Sequence, residues 1–330
     1  MKAALATAAA IGLAAVAALG VAAIGSDDEP AKPPRRVFAF LSRADGRELT
    51  RLAQVGRRIS VLAPNWYELD VARGTVREPW DRTPVLRAAR RAGVPLWPVV
   101  NARTGGSSAI DAPAARRRAA RAVVRVASDP AYAGVTLDVE ELRAGQRDAY
   151  TAFVREVAAG LSARGRRLAV YAPRPTRGGS ALAYDWPALA DAADLLLVAT
   201  YNETGPQGPP GPLDTSAGYA EVLARAADVS TERAVPIVGA FGYAWRRGGR
   251  GRLISTIDAE RQRAACGVRR TVTDGNAAFR CGASTVHHAT VAGLRSRARE
   301  AGAAGFRWLA LFSLGREPRS FWDGMPRVRR

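Results

Sequence analysis

The chain has 330 residues and a formal net charge of +19, from 49 Lys and Arg against 30 Asp and Glu. Basicity of this size raises a nucleic-acid reading. Against it, the arginines are scattered through helix-like stretches such as Ala114-Ala-Arg-Arg-Arg-Ala-Ala-Arg121, with no aromatic-interleaved basic strand. No nucleic-acid partner is expected; the excess reads as solvated helix faces, open to a secondary attraction by anionic polymer. The histidines are two and adjacent, His287 and His288, and no Cys-x-x-Cys accompanies them, so neither a metal nor another cofactor is expected.

From the N-terminus, Ala3 to Gly25 is an uncharged, Ala-rich run preceded by Lys2. Its length suits a membrane-spanning helix, while Val21-Ala22-Ala23 would serve as a signal-peptide cleavage site. Residues 1–25 are therefore expected to be a signal peptide or a membrane anchor, and the protein secreted or anchored outside the cytoplasm. Residues 26–36 are charged and contain Pro, as a linker does. From 37 to 324, apolar β-like runs alternate with Ala/Arg/Leu-rich helical stretches, the pattern of a parallel sheet with crossover helices. The expected strands are Val37–Leu41, Ile59–Ala63, Val94–Val100, Gly134–Val139, Arg167–Tyr171, Leu195–Tyr201, Val235–Gly242 and Phe306–Phe312. This alternation predicts an α/β fold, a closed (β/α)8 TIM barrel. After the fourth strand, Tyr150, Phe153, Val154, Val157, Ala158 and Leu161 recur at three- and four-residue steps, one stripe that packs on a barrel.

The interval between the seventh and eighth strands is too long for one helix. Residues 253–286 hold β-like pieces and an Asp274-Gly275-Asn276 turn signal, and read as a small hairpin-like insertion with no separate core. Both cysteines, Cys266 and Cys281, fall there. In an exported chain they would close a disulfide loop worth roughly 3 kcal/mol on the chain-entropy model; two buried thiols are the alternative. Residues 325–330 form a basic tail.

Catalytic groups of such barrels come from the C-terminal ends of the strands. Trp66 and Tyr67 follow the second strand, Asn101 the third, and Asp138 and Glu140 close the fourth. Tyr171 and Arg174 follow the fifth strand, Tyr201, Asn202 and Glu203 the sixth, and Tyr243 and Trp245 the seventh; Phe312 ends the eighth. Sugars present apolar C–H faces with a hydroxyl rim, so aromatic platforms with amides and carboxylates make a suitable lining. Alternation puts Thr136, Asp138 and Glu140 on one strand face and Val135, Leu137 and Val139 on the other. Like-charge proximity is expected to help keep one of two such carboxyls protonated, as a general acid for glycosidic cleavage requires; two solvated acids at an exposed strand end are the alternative.

Gly134-Val-Thr-Leu-Asp138-Val-Glu140 resembles the Asp-x-Asp-x-Glu strand of glycoside hydrolase family 18, the chitinase-like barrels, and above all the branch of spore-germination and cortex-lytic N-acetylglucosaminidases. Further stretches fit in order: Asp148 to Glu156, Leu197 to Glu203, Gly208 to Pro212, Pro236 to Trp245, and Gly305 to Trp322. The resemblance implies a glycosidase acting on β-1,4-linked N-acetylglucosamine polymer, peptidoglycan or chitin-like, by a substrate-assisted retaining route. It implies Glu140 as the acid, Asp138 as the carboxylate that orients the substrate's N-acetyl group, and Tyr201 as the donor to that group's carbonyl. Trp66, Tyr67, Asn101, Tyr171, Asn202, Glu203, Tyr243, Trp245 and Phe312 are expected to line the substrate site. The chain also departs from the pattern. Ala133 and Thr136 take the first two motif positions, Thr136 remaining able to bond Asp138. Asn202 stands where Asp is usual, and Phe312 where many relatives have Trp. The alternative these changes leave is an inactive barrel that binds cell-wall or chitin-like glycan.

Overall fold

The structure is a computed structural model that describes residues 31–328, apart from 43–44, 79–80, 103–106 and 176–178. The expected export segment, the first five residues of the linker and the last two of the basic tail lie outside these residues. Among the described residues no helix is long and apolar enough to cross a membrane.

Eight parallel strands form the barrel: β1 (Arg36–Leu41), β2 (Val61–Asp70), β3 (Val99–Ala102), β4 (Gly134–Val139), β5 (Arg167–Ala172), β6 (Leu195–Ala199), β7 (Ala234–Gly239) and β8 (Trp308–Phe312). Because β1 pairs with both β2 and β8, the sheet closes and its edge disappears. The helices Gly46–Val55, Thr83–Ala92, Pro113–Val126, Arg147–Ser162, Trp186–Ala192, Ser216–Val229 and Val291–Ala303 lie between successive strands. Strands covered on both faces read as apolar runs, and all five residues of β6 are buried. Arg147–Ser162 turns its expected stripe inward, burying Tyr150, Phe153, Val154, Val157 and Leu161. Each such side chain contributes about 1.5–3 kcal/mol. The helices start where short polar side chains replace missing backbone partners. Asp45 accepts from the amides of Arg47 and Glu48 at 3.0 Å, and Thr215, Ser255 and Thr290 cap three more.

Strand ends differ from expectation where tertiary pairing intervenes. β2 runs to Asp70, past the barrel rim, because its outer half pairs antiparallel with Thr75–Arg77. β3 starts only at Val99: Pro95 and Pro98 offer no N–H, and Leu96 keeps only isolated bridges to Leu62 and Tyr132. β7 stops at Gly239, and Phe241–Arg246 opens a second sheet.

That second sheet is antiparallel and five-stranded, in the order Arg252–Ser255, Phe241–Arg246, Ser284–Ala289, Asn276–Cys281, Thr271–Thr273. It is wider than the 253–286 interval and, unlike the coreless insertion expected, packs a small core of its own. Ala259, from the helix Thr256–Ala265, meets Phe279 and Val286 there. Asp274 and Gly275 both take positive φ, 51° and 76°, as a two-residue hairpin turn requires. Asn276 ties the sheet to the barrel side of the chain, donating to the Asp214 carbonyl at 2.7 Å and accepting from the Leu213 amide at 3.2 Å. Cys266 and Cys281 have Cα atoms 5.9 Å apart, a separation that a disulfide spans.

Candidate active site

β4 delivers the two carboxyls as its alternation requires. Val135, Leu137 and Val139 are fully buried, while Asp138 and Glu140 are partly exposed on the other face. Asn101 sits opposite Asp138 in the β3–β4 register, and its Nδ2 donates to Asp138 Oδ2 at 2.9 Å. The ladder extends one residue beyond β4, the Glu140 amide donating to the Ala102 carbonyl at 3.0 Å. Glu141 then takes a left-handed φ of 60°, and the chain turns away from the carboxyls. Such a conformation costs a non-glycine residue on the order of 1 kcal/mol and is held by its surroundings. Thr136 does not serve as a partner of Asp138: fully buried one pleat deeper, it donates to the Trp97 carbonyl at 2.9 Å.

Tyrosines converge on this pair. Tyr201 lies two residues beyond β6, with Tyr171 beside it. Burial first, then the charges of Asp138 and Glu140, hold the Tyr201 phenol well above its ordinary range, so it keeps its proton and can donate. Tyr171 is raised by burial, by Tyr201 and by the same carboxyls. Tyr184, which the sequence reading missed, donates to the Val139 carbonyl at 2.6 Å, between Asp138 and Glu140. Its phenol too is raised, by burial and then by Asp138 and Glu140. A second face is aromatic. Phe312 packs on Phe40 at 5.6 Å, Phe241 at 5.8 Å and Tyr201 at 5.9 Å. Phe241 continues this wall to Tyr243 at 5.7 Å, and Tyr243 to Trp245 at 5.6 Å. Tyr243, pushed up to about 12 by burial, donates to Asn202 Oδ1 at 2.8 Å. Asn202 adopts φ 65°, a left-handed position that Asn tolerates better than most residues.

Other expected lining residues lie elsewhere. Tyr67 turns away: its hydroxyl shares a 2.8 Å hydrogen bond with Tyr132 and accepts from Arg82 at 3.1 Å. Trp66 is buried beside the same Tyr132 ring, 6.1 Å between centroids, so neither forms an open sugar platform. A bulge between Asn65 and Tyr67 shifts the register of β2 there, which strict alternation cannot anticipate. Glu203 is occupied structurally. It accepts from the Thr215 amide at 2.8 Å and faces Arg174 at 3.6 Å, while Arg174 donates to the Thr200 carbonyl at 3.0 Å. Trp245 is 3 % exposed and packs against His287 at 6.0 Å, so it backs the wall instead of facing a ligand. At the opposite end of the barrel, a cleft of about 620 Å³ is lined by Arg36, Trp97, Arg167 and Trp308. Arg167 there pairs with Asp194, Arg307 pairs with Glu232, and Arg36 lies over the Trp308 ring, 5.1 Å from its centroid. No paired carboxyl and phenol converge there, and the chemistry belongs to the β4 end.

A closed (β/α)8 barrel with two carboxyls closing β4, phenols around them and an aromatic wall beside them has the build of the glycoside hydrolase barrels. Residues 100–273 match the family model of glycosyl hydrolases family 18, to which the chain belongs. YdhD of Bacillus subtilis (strain 168), a protein named as a sporulation-specific glycosylase, is 25% identical over 165 residues, 47% of this chain and 39% of that one. The match thus spans well under half of that relative's length. Among solved structures, a chitinase from Chromobacterium violaceum ATCC 12472 superposes with a TM-score of 0.79 at 23% identity, covering 88% of this chain and 97% of that one. The spore cortex-lytic enzyme SleL of Bacillus cereus superposes at 0.78 with 16% identity, covering 89% and 74%. These likenesses are of fold.

Proposed function

We propose that the chain hydrolyses a β-1,4-linked polysaccharide containing N-acetylglucosamine, peptidoglycan or chitin-like, with retention of configuration. The observation that carries this reading is the Asn101-held Asp138 beside Glu140, both within the field of the protonated Tyr201. Glu140 gives its proton to the glycosidic oxygen as the bond to the anomeric carbon breaks. The substrate's own acetamido oxygen bonds to that carbon from the opposite side, forming a cationic bicyclic intermediate. Asp138 orients the acetamido N–H and balances the positive charge, and the Tyr201 hydroxyl donates to the acetamido oxygen. Water, deprotonated by the Glu140 carboxylate, then attacks from the face the leaving group vacated. Phe312 offers aromatic surface to the sugar, with Tyr243 buried in the wall behind it.

The binding-only alternative has one observation in its favour: Asn202, which brings no charge, spends its carbonyl on Tyr243. Digestion of purified peptidoglycan and of chitooligosaccharides, read by mass spectrometry, separates the two. Hydrolysis yields fragments one water heavier with a new reducing N-acetylglucosamine. Binding of both glycans with cleavage of neither would favour the inactive barrel.

Export, with residues 3–25 as signal or anchor, is part of the same proposal, since such polymers lie outside the cytoplasm. The cysteine separation supports it. Alkylation of denatured, unreduced protein is expected to label neither Cys266 nor Cys281; labelling of both contradicts the bridge and weakens the case for export.

A further inference from the structure

We propose that the hairpin joining Phe241–Arg246 to Arg252–Ser255 is an anion-binding rim of the glycan site, taking carboxylates carried on the polysaccharide itself. This rests on the reading of the strand-end cluster as a glycan site. The connection reads Arg246-Arg247-Gly248-Gly249-Arg250-Gly251-Arg252, and no acidic residue occurs between Glu232 and Asp258. Arg246, Arg247, Arg250 and Arg252 are all exposed. Among the described residues, no acid or other hydrogen-bond acceptor meets any of these four side chains. Other guanidiniums are paired with acids: Arg174 with Glu203, Arg297 with Asp214 and Arg47 with Asp258. Four like charges on one tight turn repel one another, a cost that an anion of suitable spacing removes.

The rim is placed by the site's own elements. Tyr243, hydrogen-bonded to Asn202, and Arg246 share one strand, so a rise of about 3.3 Å per residue sets them roughly 10 Å apart along it. The return strand is pinned to the loop after Tyr201 and Asn202, the Gly251 amide donating to the Pro206 carbonyl at 2.7 Å. Gly251 is required there: a Cβ would stand 2.7 Å from Trp245 Nε1 and 3.1 Å from Tyr243 Cβ. Alternation puts Arg246, with Arg252 paired next to it across from Ala244, on the face opposite Tyr243 and Trp245. Arg247 and Arg250 belong to the turn itself, so they make the direct contacts and the other two add field. A guanidinium holds a carboxylate through two parallel N–H bonds. A neutral N-acetylglucosamine polymer gives these groups nothing to hold; a glycan in which alternate sugars bear an O-lactyl ether does.

The test is equilibrium binding of the full chain, carrying Glu140→Gln so that the ligands are not cleaved, to three soluble oligomers of equal length. One alternates N-acetylglucosamine with its O-lactyl ether, the second is the same oligomer with its carboxylates methyl-esterified, and the third is N-acetylglucosamine alone. At low salt the free acid is expected to bind about tenfold more tightly than the ester, as two or three exposed ion pairs allow. The preference should fade as salt is added. Arg247→Gln with Arg250→Gln should erase it and leave the ester and the neutral oligomer unchanged, while the Arg247→Lys, Arg250→Lys pair should retain most of it. Absence of a preference with the rim arginines in place, equal weakening of all three ligands by the Gln pair at 247 and 250, or binding of none of them overturns the rim. So does a preference confined to an added phosphodiester polymer. Because binding is read without cleavage, a preference for the acid while the native chain cleaves nothing refutes the hydrolase mechanism alone. Cleavage by the native chain without that preference refutes the rim alone.

Discussion

Glu140→Gln is expected to lower turnover of an N-acetylglucosamine polymer by about 10²- to 10⁴-fold or more, with the fold and glycan binding intact. Gln preserves the shape of the side chain, and the backbone bond that fixes this position, from the Glu140 amide to the Ala102 carbonyl, does not involve it. What is lost is the ability to give a proton to the glycosidic oxygen and to take one from water. Steady-state kinetics beside a melting curve and a glycan-binding isotherm check this. A substrate with an activated aryl leaving group sharpens the test, because its departure needs little protonation and the first step should be largely spared. Wild-type turnover in the Gln variant would remove Glu140 from the mechanism.

Asp138→Asn is expected to cost nearly as much, about 10²-fold or more in turnover, for a different reason. The group is isosteric, but the negative charge facing the developing cation disappears, and a preorganised charge of this kind is worth several kcal/mol at the transition state. The new amide keeps one oxygen to accept from Asn101, which donates to Asp138 Oδ2 at 2.9 Å, so the side chain holds its place while its charge is lost. A thiazoline mimic of the bicyclic intermediate should inhibit the native chain and lose affinity for the Asn variant, while a plain chitooligosaccharide binds both alike. Turnover within a few-fold of wild type, with inhibition by the mimic unchanged, would rule out charge stabilisation by Asp138.

Local chemistry and period made much of this protein legible from its sequence. The β4 run had a single consistent reading, because residues two apart in an extended chain must share a face, and Asp138 and Glu140 do. The stripe from Tyr150 to Leu161 could bury itself only as a helix, and Asp274-Gly275 could only turn. The barrel followed from alternation, since parallel strands need crossovers and covered faces.

Contacts between distant segments were the part that sequence could not supply. A bulge in β2 sent Tyr67 to Tyr132, 65 residues away, instead of to a sugar. Glu203 was claimed by Arg174 and Thr215, and Thr136 by the Trp97 carbonyl. Tyr184 entered the site through a hydrogen bond to the Val139 carbonyl, from a segment with no periodic signal. Phe241 read as barrel strand until Gly242 brought it against the Ser284–Ala289 strand, so closely that a Cβ would stand 1.9 Å from the His287 carbonyl oxygen. By itself the sequence determined the barrel and its acid pair, because those depend on local period and residue type. Which side chains surround the pair was decided only by tertiary packing, because a hydrogen bond across the fold depends on where both partners end, not on either one's neighbours in the chain.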